Sequence, residues 1–363
     1  MSKQIPQHNI LHIIDNLWLW GAQTVLQGIT SSWDTPETIH VYALRKYETE
    51  IQIAHDKTSV YPSSSKFSFP LLTLRKYIKK HNITLLHCHL AKSQLLWCLL
   101  KTFFFPDIKL VLHEHGEIYE DGKVYPFLMN LFRSKVDIYI AVSESIQRTI
   151  LRKTSYPETK VPVLYNFVNL DVFYPLSWED TTRIRTQYRY SRNDFVIGFA
   201  GRLIERKWWK EFVASAKILR DKGYDIKFLI AWDWPERVDL LQEISWVEHI
   251  QYIGYIDTMR EYYNILDCFV FPSHWEPLGL TGIEANACWC PVIASDIEGL
   301  NELMIHQENA LLFENKNIDD LVIKIEEIYN HHDVRERLVK YWKERVQNYS
   351  LEKYLVELQK IYG

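Results

Sequence analysis

Two carboxylates and two cations mark where this chain could do chemistry. Glu276 and Glu284 lie in the run Pro272-Ser273-His274-Trp275-Glu276-Pro277-Leu278-Gly279-Leu280-Thr281-Gly282-Ile283-Glu284, which follows the apolar stretch DCFVF and leads into a helical pattern. The run is predicted to be a strand-to-helix turn. A helix start offers N–H groups and a positive dipole end to an anionic ligand. Glu276 before the turn and Glu284 roughly two helical turns later could accept hydrogen bonds from different hydroxyls of one extended ligand. An isolated glutamate pair would by default be read as two surface residues. Arg202 and Lys207 fall in GRLIERK, directly after the apolar run FVIGFA. A guanidinium fork with a point-charge ammonium suits a diphosphate and would neutralise it as a leaving group. Basic loops are more often simply solvated, but a position after a strand favours the functional reading.

Histidines offer a rival chemistry. His87-x-His89 and His113-x-His115 each end a candidate strand, and imidazoles gathered at neighbouring strand ends can build a zinc site. No Asp follows at the spacing a metal hydrolase would use, so no metal is predicted. The five cysteines Cys88, Cys98, Cys268, Cys288 and Cys290 are odd in number and scattered. They read as small buried hydrophobes.

The elements that must position these groups are legible as periodicity. Strand candidates at 10–14, 39–44, 83–88, 108–113 and 137–142 form one series, and 195–200, 226–231, 249–253, 267–271 and 291–294 form a second. Continuous apolar strands separated by helical patterns predict parallel sheets covered on both faces. The fold class is therefore α/β, with two doubly wound domains. Asn166 to Pro175 reads as a connecting segment, followed by a charged stretch, and the tail from about 317 reads as helical. The expected organisation is a first domain at 1–168, a second at 169–345 and a C-terminal helix at 346–363 returning toward the first. Open α/β sheets bind ligands beyond the carboxyl ends of their strands, which places the expected site in a cleft between the two domains.

Bulk properties exclude several classes. The chain has 363 residues, enough for two ordinary domains, and is 47% hydrophobic and 24% charged, as soluble globular proteins are. Its longest apolar stretch, Leu95 to Phe105, is interrupted by Lys101 and is shorter than a membrane span. No long apolar core follows Lys3, so no signal peptide is predicted and the expected location is cytoplasmic. Residues 1–165 carry 19 Lys+Arg against 14 Asp+Glu, or +5, and the remainder 23 against 32, or −9. The basic first half is expected to meet something anionic. No aromatic-basic nucleic-acid module is visible, and no G-x-G-x-x-G opens a first helix, which argues against a nicotinamide dehydrogenase. Phe103, Phe104 and Phe105, and Phe127, Leu128, Leu131 and Phe132, stand beside Lys101, Lys109, Arg133 and Lys135. Such aromatics either fill the first domain's core or face an anionic bilayer.

Taken together, these motifs resemble the retaining glycosyltransferases of family 4. The resemblance covers nearly the whole chain. Its most specific part is Glu276-x7-Glu284 within PSHWEPLGLTGIEANA, followed by PVIASDIEGLNEL; GAQ at 21–23, AVSESI at 141–146, LYNFVNLDVFYP at 164–175, GRLIERK at 201–207 and YIGYID at 252–257 agree with it. The resemblance implies the GT-B fold, two Rossmann-like domains facing across a cleft, and a nucleotide-sugar donor with UDP the commonest nucleotide. It implies that Arg202 and Lys207 hold the donor diphosphate, that Glu284 binds the ribose hydroxyls and that Glu276 contacts the transferred sugar. Backbone at Gly279 and Leu280 would approach sugar or phosphate, Gly21 would lie opposite the diphosphate, and His115 would stand near the reacting sugar carbon. It further implies that no metal or other cofactor is used, and that the acceptor is a glycan or lipid-linked molecule of cell-surface polysaccharide synthesis. A peripheral place at the inner face of the membrane would follow. A non-catalytic nucleotide-sugar-binding homologue is the alternative; a GT-B epimerase or phosphorylase fits the glutamate motif less well.

The chain departs from the family in one consistent way. Tryptophan stands at Trp20, Trp208, Trp232, Trp234 and Trp289, and less clearly at Trp18 and Trp246, where the family usually has glycine. Trp numbers 13 and Gly only 12, against an ordinary glycine share of about 7%. An indole at 20 or 208 is expected to intrude on the space for the diphosphate. The pattern is what results when a gene in which UGA specifies glycine is translated as though UGA specified tryptophan; UGG codons at these positions would refute that reading.

Overall fold

The computed structural model describes residues 9–17, 21–33, 38–44, 58–62, 71–116, 122–232, 235–245 and 247–363. The chain divides into two compact units, residues 1–167 with 351–363, and residues 168–350.

The first unit is built on strands β1 (Asn9–Ile14), β2 (Ile39–Ala43), β3 (Thr58–Pro62), β4 (Ile83–His89), β5 (Lys109–Glu114) and β6 (Ile138–Ala141). They form one sheet in the order β3-β2-β1-β4-β5-β6, and every pairing is parallel. From β1 in the middle of this sheet the strands run to one edge through β2 and β3, and β4 to β6 then fill the other side. Strands β1 and β4 therefore flank the point where the winding reverses, which is where such folds bind ligands. Register places His12 opposite His87 and His89 opposite His113. Because side chains alternate faces with period two, all four imidazoles share one face.

The second unit repeats the plan with β7 (Phe195–Ala200), β8 (Ile226–Ala231), β9 (Ile250–Gly254), β10 (Cys268–Phe271), β11 (Val292–Asp296) and β12 (Ala310–Glu314). Their order is β12-β11-β10-β7-β8-β9, again all parallel. Here β7 and β10 flank the reversal. The core beneath the sheet joins Phe199, Phe212, Phe228, Val270, Ile293 and Phe313 with Leu321, Ile325 and Ile328 from the first tail helix.

Ten strands answer to the expected apolar runs, with ends shifted by at most two residues, whereas β3 and β12 were not anticipated. Both are edge strands with one neighbour each, and β3 ends in a proline, which an edge tolerates. The charged stretch before Phe195 holds a helix, Trp178–Gln187, whose start is capped by Ser177 accepting from the Asp180 N–H at 3.1 Å. The tail forms helices Ile318–Asn330, His332–Arg345 and Leu351–Tyr362. The last belongs to the first unit, where Tyr354 packs against Phe167 with ring centroids 4.8 Å apart. All five cysteines are buried and unbridged. Among the described residues no helix is long and apolar enough to cross a membrane.

Three tryptophans hold backbone that favours glycine: Trp208 at φ 58°, Trp232 at φ 94° and Trp289 at φ 62°. At Trp289 the reason is explicit. The helix Leu280–Ala287 ends at Cys288; the Trp289 N–H then donates to the Asn286 carbonyl at 2.9 Å and the Cys290 N–H to that of Ala285 at 3.0 Å. Those two bonds define a Schellman ending, whose left-handed residue is usually glycine. The Trp208 indole is buried in the core, stacked on Phe313. Trp18, Trp20, Trp234 and Trp246 lie outside the described residues.

Candidate functional site

The loops that follow β7 and β10 carry the predicted groups of the second unit. After β7 the chain passes Gly201 and Arg202 into a short turn, Glu205–Lys207. After β10 it passes Pro272 to Gly279 into the helix Leu280–Ala287. The two strands are neighbours, so both loops leave the same edge of the sheet. A backbone bond ties them together, the His274 N–H donating to the Arg206 carbonyl at 2.8 Å.

This juxtaposition brings Lys207 onto Glu276. The ammonium donates to Glu276 Oε1 as an ion pair, with only 15% and 11% of the two side chains exposed, and also sits 5.4 Å from the centre of the Phe271 ring. Arg202 is half-buried at the end of β7. Two glycines shape the second loop. Gly279, at φ +88°, starts the helix, and a Cβ there would lie 2.3 Å from Leu300 Cδ2. Gly299, at φ +89°, presses against the backbone of Glu276, where a Cβ would come within 2.1 Å of the Glu276 carbonyl oxygen. The positive φ favours glycine at both positions, and at Gly299 the approach to the Glu276 backbone leaves no room for a side chain. Gly299 was not singled out from sequence, although it lies in the quoted DIEGLNEL.

Glu284 is half-buried on the helix that Leu280 begins. The Tyr263 hydroxyl donates to its Oε2 at 3.1 Å. Burial pushes this carboxyl up to about 7, an effect the Tyr263 hydrogen bond partly offsets. Tyr263, on the helix Met259–Ile265, was missed in the sequence reading because nothing local connects it to Glu284.

The first unit holds the remaining predicted residues. Gly21 is the exposed first residue of the helix Gly21–Ser32. His115 follows β5 and belongs to a cluster with His12, His87, His89 and His113. Two trios, His12-His87-His89 and His89-His113-His115, bring ring nitrogens within 4.8 Å of one another. His12 and the bonds among the rings were not anticipated; sequence alone showed only two His-x-His pairs. The apolar segment also resolves: Phe105 is buried, while Phe103, Phe104, Phe127 and Leu131 are exposed, Phe103 by 72% and Phe127 by 67%. The core-filling reading therefore fails for these four.

Comparison with known proteins fits this architecture. The family described as Glycosyl transferases group 1 matches residues 180–345, and Glycosyltransferase Family 4 matches residues 27–172. The chain belongs to the group 1 glycosyltransferases. It is 28% identical over 231 residues to the capsular polysaccharide biosynthesis glycosyltransferase CapM of Staphylococcus aureus, covering 62% of this chain and 60% of that protein. It is 26% identical to an Escherichia coli enzyme named UDP-Gal:alpha-D-GlcNAc-diphosphoundecaprenol alpha-1,3-galactosyltransferase, covering 69% of this chain and 68% of that one. The chain thus spans about 60% of the length of CapM. Among solved structures, Anabaena HepE in complex with UDP and glucose superposes with a TM-score of 0.81 at 18% identity, covering 98% of this chain and 99% of that one. The fold of this group 1 glycosyltransferase is GT-B: two parallel-sheet α/β units in one chain.

Proposed function

We propose that the chain transfers a sugar from a nucleotide-diphosphate sugar, with UDP as the nucleotide, to a glycan or lipid-linked acceptor, retaining anomeric configuration. The observation that carries this reading is the Lys207–Glu276 pair at the winding reversal of the second sheet. A half-buried cation beside a buried carboxylate, next to a helix start at Gly279 and Leu280, suits a ligand that is anionic at one end and hydroxylated at the other. In this reading Arg202 and Lys207 hold the diphosphate. As the bond from sugar C1 to the diphosphate oxygen breaks, the electron pair leaves with the diphosphate and the two cations stabilise it without a metal ion. The acceptor's hydroxyl oxygen forms the new bond to C1, and its proton passes to the departing diphosphate. Glu276 exchanges its bond to Lys207 for one to a sugar hydroxyl, Glu284 accepts from the ribose, and Gly21 and His115 serve from the first unit. The relatives support the substrate classes: HepE was solved with UDP and glucose, and the Escherichia coli relative is named for a UDP-galactose donor and a diphosphoundecaprenol acceptor.

The exposed Phe103, Phe104, Phe127 and Leu131 belong to the helices Ala91–Phe104 and Val124–Phe132. With Lys123 and Arg133 exposed beside them, they suit an anionic bilayer surface carrying a lipid-linked acceptor. A panel of nucleotide sugars incubated with the protein, with donor hydrolysis as readout, tests the reading. Turnover of one donor that Lys207→Ala and Glu276→Ala both abolish supports it. Tight donor binding without turnover would make the chain a non-catalytic nucleotide-sugar-binding relative.

A further inference from the structure

The histidine cluster of the first unit is ordered by its hydrogen bonds, and Tyr362 sits at its centre. His115 Nε2 lies 3.0 Å from His89 Nδ1, and His89 Nε2 lies 3.0 Å from His12 Nδ1. His12 Nε2 meets the Tyr362 hydroxyl at 3.4 Å. That hydroxyl meets His87 Nδ1 at 2.5 Å, and His87 Nε2 lies 3.2 Å from His113 Nδ1. Among the described residues, the two terminal atoms, His115 Nδ1 and His113 Nε2, are buried and have no hydrogen-bond partner.

A neutral imidazole has one donor and one acceptor. Every ring-to-ring bond in this series joins an ε2 nitrogen to a δ1 nitrogen, so on each side of the Tyr362 hydroxyl the tautomer of one ring dictates that of the next. Three states satisfy all five bonds: every ring protonated on ε2, every ring protonated on δ1, or the Tyr362 oxygen accepting from both His12 Nε2–H and His87 Nδ1–H, which would leave the buried hydroxyl's own hydrogen without either ring to meet. The Tyr362 distances choose among them. O–H donors make shorter bonds than N–H donors, so the 2.5 Å contact fits the hydroxyl donating to His87 Nδ1. The 3.4 Å contact is then His12 Nε2–H donating to the tyrosine oxygen. The reverse state would assign each length to the wrong kind of donor.

We propose that His115, His89, His12, Tyr362, His87 and His113 form one chain of hydrogen bonds donating in that order, which fixes all five rings with the proton on Nε2 and leaves His115 Nδ1 a bare acceptor. Tyr362 is the positioning residue that sets the direction. Its place in sugar transfer rests on the proposed position of His115 beside the sugar; the chain itself does not. There, His115 accepts a hydrogen bond from a hydroxyl through Nδ1 and cannot donate one at that nitrogen. The rings remain neutral at neutral pH, since burial and mutual repulsion hold His87, His89 and His113 well below the ordinary imidazole range. A zinc ion in either trio would need ring nitrogens at about 2.0–2.1 Å, taking lone pairs that the chain already uses.

Nitrogen-15 NMR of the histidine-labelled full chain at pH 7 tests this, because protonated and bare ring nitrogens resonate apart. Five rings with the proton on ε2 are expected; a δ1 proton on any of the five overturns the chain. In Tyr362→Phe, which deletes the relaying oxygen, the single-tautomer signature of His12, His89 and His115 is expected to be lost. Its survival would overturn the directing role of Tyr362. One equivalent of Zn²⁺ is expected to leave the five rings unshifted; stoichiometric shifts at His89, His113 and His115 would make the cluster a metal site instead. The wild-type spectrum stands even if the variant does not fold. If the tautomers behave as stated but Tyr362→Phe keeps full kcat and KM, the chain stands and the placement of His115 beside the sugar fails.

Discussion

Lys207 and Glu276, 69 residues apart in sequence, form an ion pair where the loops after β7 and β10 meet. With both side chains largely out of water, neither charge is well solvated on its own. Removing one partner leaves the other unsatisfied, which costs about 1–3 kcal/mol or more for a charged group. Lys207→Ala and Glu276→Ala are each expected to lower the melting temperature, and Lys207→Met with Glu276→Leu to recover much of the loss. Donor turnover should fall by roughly 100-fold or more in Lys207→Ala, the scale of losing one donor to a developing negative charge. Thermal melts and steady-state rates on the same preparations check both expectations.

Glu284 predicts a pH dependence. Its carboxyl is raised from about 4.5 to about 7 in the folded chain, so the folded state binds its proton more tightly than the unfolded state. Stability from this group is therefore full below about 4.5, declines as pH rises to about 7, and stays at its lower level above. Glu284→Gln should remove that slope between those values in melts followed across pH. If the carboxylate accepts from ribose, nucleotide affinity should rise with pH through about 7 in the wild type and be flat in Glu284→Gln; titration calorimetry across that range decides.

Trp289 tests the glycine reading. Left-handed backbone costs a residue with a side chain about 1–2 kcal/mol. Against that, Lys343 Nζ lies 3.4 Å from the centre of the Trp289 ring, a contact worth about 0.5–1 kcal/mol at an exposed site. The backbone term is the larger, so Trp289→Gly should raise the melting temperature and Trp289→Ala should not match it. In protein made by its own ribosomes, peptide mass spectrometry is expected to show glycine at 208, 232 and 289. Tryptophan there would refute the altered code.

The exposed aromatics predict adsorption to membranes. Liposomes with anionic lipid should co-sediment the wild type, and Phe103→Ser with Phe127→Ser should lose most of that binding while melting normally. Added salt should weaken it, since screening shortens the reach of Lys123 and Arg133. Equal binding to neutral and anionic vesicles would contradict the proposal.

Much of this was legible in sequence because parallel strands buried on both faces are continuous apolar runs, and ten of the strands announced themselves that way. The strands β3 and β12 did not: β3 is TSVYP, with polar residues and a proline in place of an apolar run, and β12 lies just before the tail read as helical. The loops bearing Arg202, Lys207 and Glu276, and the helix bearing Glu284, could be placed after strands from spacing alone. That Lys207 meets Glu276 could not, because it depends on β7 and β10 being neighbours across an intervening crossover. Tyr263 beneath Glu284 and Tyr362 within the histidines were hidden for the same reason. Their partners are distant in sequence, and no periodic pattern encodes a tertiary hydrogen bond.

A structure of the chain with a bound nucleotide sugar tests the central claim most directly. The account predicts the diphosphate against Lys207 and Arg202, with the Lys207–Glu276 bond opened and Glu276 turned to a sugar hydroxyl, and the ribose on Glu284. A nucleotide bound elsewhere, with the Lys207–Glu276 pair still closed, would contradict it.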